Sequence, residues 1–265
     1  VKRRGSWGVG KVVFSNASSI RTFFGLTLRQ GDSSPVLMGE AGLNIHSIGE
    51  ETYDWYGYFA NHKQKAGRWA LHPVIGQFVT DFESLFNIRR GSPGLSIVVP
   101  YLREEVDLNE LACATVEQYF LPILAGRLEV TLFQESNEIN IKEKTISDVA
   151  GQLTWARSGA ASEKEIKATL ELARWQIDLG LSQYTKLSII GVDGHYSLSA
   201  AHFPEEALDR LREEFSSGER IAILLPVFVR PINGVASEEV IRIVLERDDE
   251  LSGSNVPHLR SGINV

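Results

Sequence analysis

The chain has 265 residues, 43% apolar and 23% charged, a balance that excludes a wholly disordered polypeptide or a fibre. Its net charge of −7 divides into +4 over residues 1–100 and −11 over the remaining 165. The mildly basic first part suits an anionic small ligand such as a nucleotide, and the acidic remainder argues against a broad nucleic-acid surface; two plainly solvated surfaces are the alternative.

Cys113 is the single cysteine, which rules out a disulfide within the chain and argues against a cysteine-based zinc site. The longest clean apolar run, Ile221 to Val229, is interrupted by Pro226 and is far short of the roughly 20 residues that a membrane-spanning helix needs. No apolar leader opens the sequence, so a cytoplasmic setting without membrane contact is expected. The chain begins at Val1 and its one methionine is Met38, which reads as a fragment, a processed product or the ordered part of a longer polypeptide.

In chain order, Val1 to Lys11 reads as a basic run followed by a glycine-rich loop, and Val12 to Ile20 as a helix. Thr22 to Arg29 alternates with β-branched and aromatic residues, and Val36 to Ile45 follows a turn at Gln30 to Pro35, so the pair predicts a β-hairpin. Tyr53 to Phe59 is aromatic-dense, either a strand or a packed loop. Val74 to Phe86 carries apolar residues at helical spacing, Gly91 to Gly94 is a turn, and Ser96 to Tyr101 a strand. Asp107 caps a helix from Leu108 to about Ala125, and Arg127 to Phe133 with Glu138 to Lys142 forms a strand pair.

Beyond Lys142 the composition turns polar. Ser162 is an N-cap for a helix over Lys164 to Leu179, and Lys186 to Val192 reads as a strand. Pro204 opens a helix that runs to Ser216 and is closed by Gly218. Arg220 to Val229 and Glu238 to Glu246 are strands, and a domain boundary is expected near 134–150. The fold class is α+β.

The chemistry-bearing motif is Gly5-Ser6-Trp7-Gly8-Val9-Gly10-Lys11. Its glycines permit close backbone approach, successive free N–H groups form an anion nest, and the following helix adds its positive end with the Lys11 charge. Phosphate is the natural ligand of such an arrangement; a plain tight turn before a helix is the alternative. The spacing also fits a P-loop literally, but Val12 stands where a Ser or Thr would hold magnesium, and Val1-Lys2-Arg3-Arg4 precedes it instead of a buried strand. Gly91-Ser-Pro-Gly94-Leu95-Ser96-Ile97-Val98-Val99-Pro100 is a second glycine turn, running directly into a strand.

Glycine loop, helix, hairpin, intervening helix, glycine turn and strand, in that order, resemble the second half of the GHKL ATP-binding fold of DNA gyrase B, MutL, histidine kinases and the large heat-shock chaperone ATPases. The segment Tyr119-Phe120-Leu121-Pro122-Ile123-Leu124-Ala125-Gly126-Arg127-Leu128-Glu129-Val130 and the end Leu259-Arg260-Ser261-Gly262-Ile263 are similar to those of large bacterial ATPases of this type, some linked to defence against phage. The resemblance implies the second half of a Bergerat-type sandwich over residues 1–142 and a smaller α+β transducer-like domain over 143–265.

It further implies an ATP lid at Gly5, Ser6, Trp7, Gly8, Val9, Gly10 and Lys11, a floor residue at Ser96, and a γ-phosphate sensor at Arg260. The ligand so implied is ATP with magnesium. The catalytic Glu, the magnesium-binding Asn and the adenine-reading Asp box of the family have no counterpart here, so the magnesium ligand is expected outside this chain and the chain alone is expected to be inactive. A protein partner or a homo-oligomer is expected, and a non-enzymatic interaction module is the competing class.

Six histidines are scattered with no i, i+4 pair, so metal binding is not expected. Gly191-Val192-Asp193-Gly194-His195 lacks the serine of a nucleophile elbow, and Cys113 sits in an apolar helix without an adjacent base. Tyr53, Trp55, Tyr56, Tyr58 and Phe59 read as core packing or a partner interface, with too few basic neighbours for base stacking. Asn61 to Arg68 reads as a solvated loop.

Overall fold

The computed structural model describes residues 10–65, 68–104, 106–155, 162–192, 194, 196–230, 235–249, 259–260 and 263–264. Its contacts divide the chain into two compact units, Val1–Asp107 and Leu108–Val265. The architecture is mixed α and β, as the sequence pattern predicts.

The first unit contains α1 (Gly10–Ala17), β1 (Thr22–Leu28), β2 (Val36–Gly42), β3 (His46–Ile48), β4 (Glu51–Tyr53), β5 (Tyr56–Phe59), β6 (Asn61–Lys65), β7 (Arg68–His72), α2 (Gln77–Leu85) and β8 (Gly94–Val98). The main sheet runs β5-β2-β1-β8, and every neighbouring pair is antiparallel. The predicted hairpin is present, with Phe24 opposite Gly39 and Leu26 opposite Leu37.

Alternation along β1 sends Leu26 and Phe24 to one face and Phe23 to the other. On the first face Leu26, Leu37, Val74, Val79 and Phe82 form the core, with Phe24, Phe86, Ile88 and Val98 against it. Gly39 has a packing reason: the Phe24 ring lies over it, and a Cβ there would sit 2.5 Å from Phe24 Cδ1 and 3.1 Å from Phe59 Cβ.

Helix α2 starts later than the expected Val74. Val74 exchanges backbone hydrogen bonds with Leu37 at 2.7 and 3.0 Å, and Gly76, at φ 75°, turns the chain into the helix. Asn61 to Arg68, expected as a solvated loop, is instead β6 and the start of β7, paired from Asn61–His72 to Lys65–Arg68.

The second unit contains α3 (Leu108–Leu124), β9 (Val130–Gln134), β10 (Asn137–Ile141), α4 (Ile146–Gln152), α5 (Glu163–Asp178), β11 (Thr185–Lys186), α6 (Ala207–Ser216), β12 (Ile221–Val229), β13 (Ser237–Leu245), β14 (Leu259–Arg260) and β15 (Ile263–Asn264). One core gathers Val116, Phe120 and Ile123 of α3, Ile141 of β10, Ile146 of α4, and Ile166 and Leu170 of α5. This packing ties α3 and the β9–β10 hairpin to α4 and α5, so the contacts divide the chain at 107/108, whereas the sequence pattern places a boundary near 134–150 and the resemblance implies 142/143.

Helix α5 begins as predicted. Ser162 accepts the Glu165 N–H, and the Glu165 carboxylate accepts the Ser162 N–H at 2.6 Å, a complete capping box.

A second core joins Leu187, Ile190, Leu211, Ile221, Ile223, Leu225 and Val227 around the sheet β11-β12-β13, in which β11 is parallel and β13 antiparallel to β12. The strand expected over Lys186 to Val192 shrinks to two residues and an isolated bridge at Ile190. The cause lies across the ladder. Leu187 N–H donates to the Leu224 carbonyl and Ile190 N–H to that of Pro226, so Pro226 turns its missing N–H toward the strand that would pair there. Helix α6 begins at Ala207 rather than beside Pro204; Glu206, at φ 61°, forms the cap, and Gly218, at φ 87°, follows the helix end as predicted.

Candidate nucleotide site

The residues that carry the phosphate reading fall into three places. Gly5, Ser6, Trp7, Gly8 and Val9 lie outside the described residues, and Gly10 and Lys11 supply the first turn of α1. The helix is fixed at its far end: Ser18 Oγ donates to the Pro100 carbonyl at 2.7 Å, Ser19 N–H to that of Tyr101 at 2.9 Å, and Arg103 N–H to that of Ala17 at 3.0 Å. Its side packs on the Phe23 face of the sheet, with the Phe14 and Phe23 ring centroids 5.6 Å apart.

Ser96 is on β8, directly opposite Leu26, and therefore faces the side of the sheet that α2 covers. Helix α1 packs on the opposite face. The Ser96 hydroxyl is engaged within the protein: Arg90 Nε donates to it at 3.1 Å, an Arg90 Nη donates to the Leu95 carbonyl at 3.1 Å, and Arg90 N–H donates to Glu83 Oε1 at 3.0 Å. Arg90 thereby staples α2 to the glycine turn, and its guanidinium occupies the space that a side chain at Gly94 would need. The only sequence signal for this is a basic pair, Arg89-Arg90, ahead of a glycine turn.

Arg260 is in β14, a two-residue strand paired with β15, and its side chain is not among the described ones. It belongs to the second unit, whereas the glycine segment and Ser96 belong to the first. Among the described residues no group of three or more His, Cys, Asp or Glu side chains is arranged to hold a metal ion, and no helix is long and apolar enough to cross a membrane.

Two further surfaces stand out. On β5 and beside it, Trp55 (58% exposed), Tyr56, Tyr58 and Phe59 present aromatic rings on an edge strand, next to Asp54 and Glu40. Partial burial, followed by the negative charges of Glu40, Tyr56 and Asp54, raises the Tyr58 hydroxyl above its ordinary value. In the second unit a cavity of about 210 Å³ is lined by Trp175, Thr185, Arg210, Glu214, Glu219 and Arg220, among others. Its two guanidiniums are already committed. Arg220 pairs with Glu246 at 2.9 Å and lies over the Trp175 ring at 6.0 Å, and Arg210 donates to Thr185 Oγ1 at 2.9 Å.

No protein-family model matches this chain, and no curated protein or solved structure matches it significantly.

Proposed function

We propose that the chain is the lid-bearing part of a GHKL-like ATP-binding module within a larger protein, followed by an α+β unit that transmits nucleotide state. One observation carries the reading. After the glycine-rich segment come α1, the β1–β2 hairpin, α2 and the Gly94 turn, and β8 then returns to pair with β1. In this reading Gly8, Gly10 and Lys11 cradle the β- and γ-phosphates of ATP at the start of α1, where backbone N–H groups and the helix dipole favour an anion. Ser96, committed to Arg90 on the other face, is left out of that grip. Arg260 is retained as a candidate γ-phosphate sensor. Lid closure over the triphosphate orders a segment, and that ordering is coupled to a partner or a second subunit. The catalytic Glu and the magnesium ligand are assigned to polypeptide outside these 265 residues, and a role in defence against phage rests on the resemblance alone.

Calorimetry of the full-length protein with magnesium and a non-hydrolysable ATP analogue tests this. Gly8→Ala and Lys11→Ala are expected to abolish tight binding; unchanged affinity in both overturns the lid. The 265-residue chain alone is expected to show no magnesium-dependent turnover.

The second reading, a non-enzymatic interaction module, is favoured by the exposed aromatic residues on and beside β5 with acidic neighbours. If the analogue does not bind the full-length protein and Lys11→Ala is silent, the glycine segment is a turn and the exposed aromatic residues on and beside this edge strand become the functional surface.

A further inference from the structure

Strand β13 is the outer strand of the second unit's sheet, and its pairing with β12 runs without a bulge from Ile221–Leu245 to Val229–Ser237. Among the described residues no strand pairs its other edge. Edge strands are usually guarded by shortness, bulges, proline or charged side chains, lysine above all. Ser237–Leu245 has nine residues and no bulge, proline or lysine; its guards are the charges of Glu238, Glu239 and Arg242, and Val240 (52%) and Ile241 (50%) are both exposed although they point to opposite faces.

Which peptide groups face outward is set by the ladder. The even-numbered peptides of β12 bond toward Leu187 and Ile190, so its odd-numbered ones face β13. Ile223–Ile243 and Leu225–Ile241 are then the hydrogen-bonded pairs, and Glu238, Val240, Arg242 and Val244 present their N–H and C=O groups outward.

The charges on this edge are self-complementary. We propose that the chain pairs with a second copy of itself through β13, antiparallel about a two-fold axis at Val240. That register sets Val240 against Val240 and places Glu238 of each copy opposite Arg242 of the other. All three pairs fall on outward-facing peptides and on one face of the sheet. A two-fold at Ile241 would oppose Arg242 to Val240 and Glu239 to Ile243, leaving every charge unmatched. A parallel in-register pairing would stack Glu238 on Glu238. The sequence Glu-Glu-Val-Ile-Arg thus discriminates among registers, and opposite charges across adjacent strands attract where like charges repel. The product is one continuous sheet across two copies, which closes both β13 edges. The inference is independent of the nucleotide reading.

Sedimentation equilibrium of the 265-residue chain across the micromolar range is expected to show a monomer–dimer equilibrium. Arg242→Glu and Glu238→Arg, both at exposed positions, are each expected to weaken the dimer about tenfold. The double exchange E238R/R242E is expected to restore it, with far-UV circular dichroism unchanged throughout. Val240→Pro removes only an outward N–H and is expected to abolish the dimer while keeping the fold. A monomer at every concentration, or a dimer indifferent to the single charge reversals, or one that the double exchange fails to restore, overturns the proposal.

Discussion

The two units bury their sheets to different degrees. In residues 108–265, β12 is covered on both faces: Ile221, Ile223, Leu225 and Val227 are buried on one side, Ala222 and Pro226 on the other. A second core, in α3, α4, α5 and β10, adds to this. In residues 1–107, the Leu26 and Leu37 face is sealed by α2, whereas Phe14, Trp55, Tyr56, Tyr58, Phe59, Phe78 and Leu95 remain substantially exposed. Clustered exposed apolar surface marks places where another molecule or segment docks. The second unit therefore buries both faces of its central strand, although Phe133, Leu181, Tyr196 and Val235 lie exposed on it, and the first carries the denser set of exposed apolar side chains for its length.

The sharpest way to break this comparison is to ask whether the units melt separately. Ile123 and Leu26 are each fully buried, one in each unit. Ile123→Ala and Leu26→Ala are each expected to cost about 2–5 kcal/mol. Each should shift one of two denaturant transitions, followed by hydrogen exchange resolved along the sequence, and leave the other in place. A single shared transition moved by both variants would mean that the units unfold as one body.

The close approach over Gly39 distinguishes the first unit's sheet from a loosely packed one. Gly39→Ala must displace the Phe24 ring, which already packs with the Phe82 ring at 5.3 Å between centroids. A loss of about 1–3 kcal/mol is expected, the usual effect of overfilling a packed site. A neutral result in urea titration would show that the Phe24 ring moves aside freely.

Much of this architecture is legible in the sequence because local signals agree with one another. Alternation sets β1 and β2, helical spacing sets α3, and Ser162 sets the start of α5. The features that stay hidden depend on residues far apart in sequence. Pro226 trims a strand some forty positions earlier, because the direction of its missing N–H matters only once β12 is paired. Ser96 is recognisable as a small hydroxyl on a strand, but the side it faces is decided by its opposition to Leu26. Arg90 closes around Ser96 through a guanidinium whose target no local pattern announces. Of the candidate site, the glycines are readable as a motif and the engagement of the hydroxyl is not.

The Arg90 staple gives a smaller test of how far the first unit's order depends on polar contacts. Arg90→Ala removes the donors to Ser96 Oγ and the Leu95 carbonyl and is expected to cost about 1–2 kcal/mol; Ser96→Ala removes one of these bonds and should cost less. Equal effects from the two variants would show that the Ser96 contact alone carries the turn. In the nucleotide reading, Ser96→Ala leaves analogue affinity unchanged, because that hydroxyl is outside the proposed grip.

The smallest expected effect belongs to the second unit and depends on pH. The backbone and side chain of Ser162 hydrogen-bond the Glu165 carboxylate and lower its pKa from the ordinary value. A carboxyl whose folded pKa lies below its unfolded one binds protons more readily when unfolded. The capping box therefore contributes its full stabilisation above the ordinary carboxylate range and loses that part as pH falls through the folded pKa. Ser162→Ala is expected to cost about 1 kcal/mol near neutral pH. Glu165→Gln keeps a hydrogen-bonding side chain and should mainly flatten the acid dependence. Urea midpoints for the two variants and the parent, at neutral pH and below the carboxylate range, distinguish these outcomes. If the gap between parent and Glu165→Gln stays constant as the solution is acidified, the Glu165 carboxylate is not the group that couples this helix start to pH.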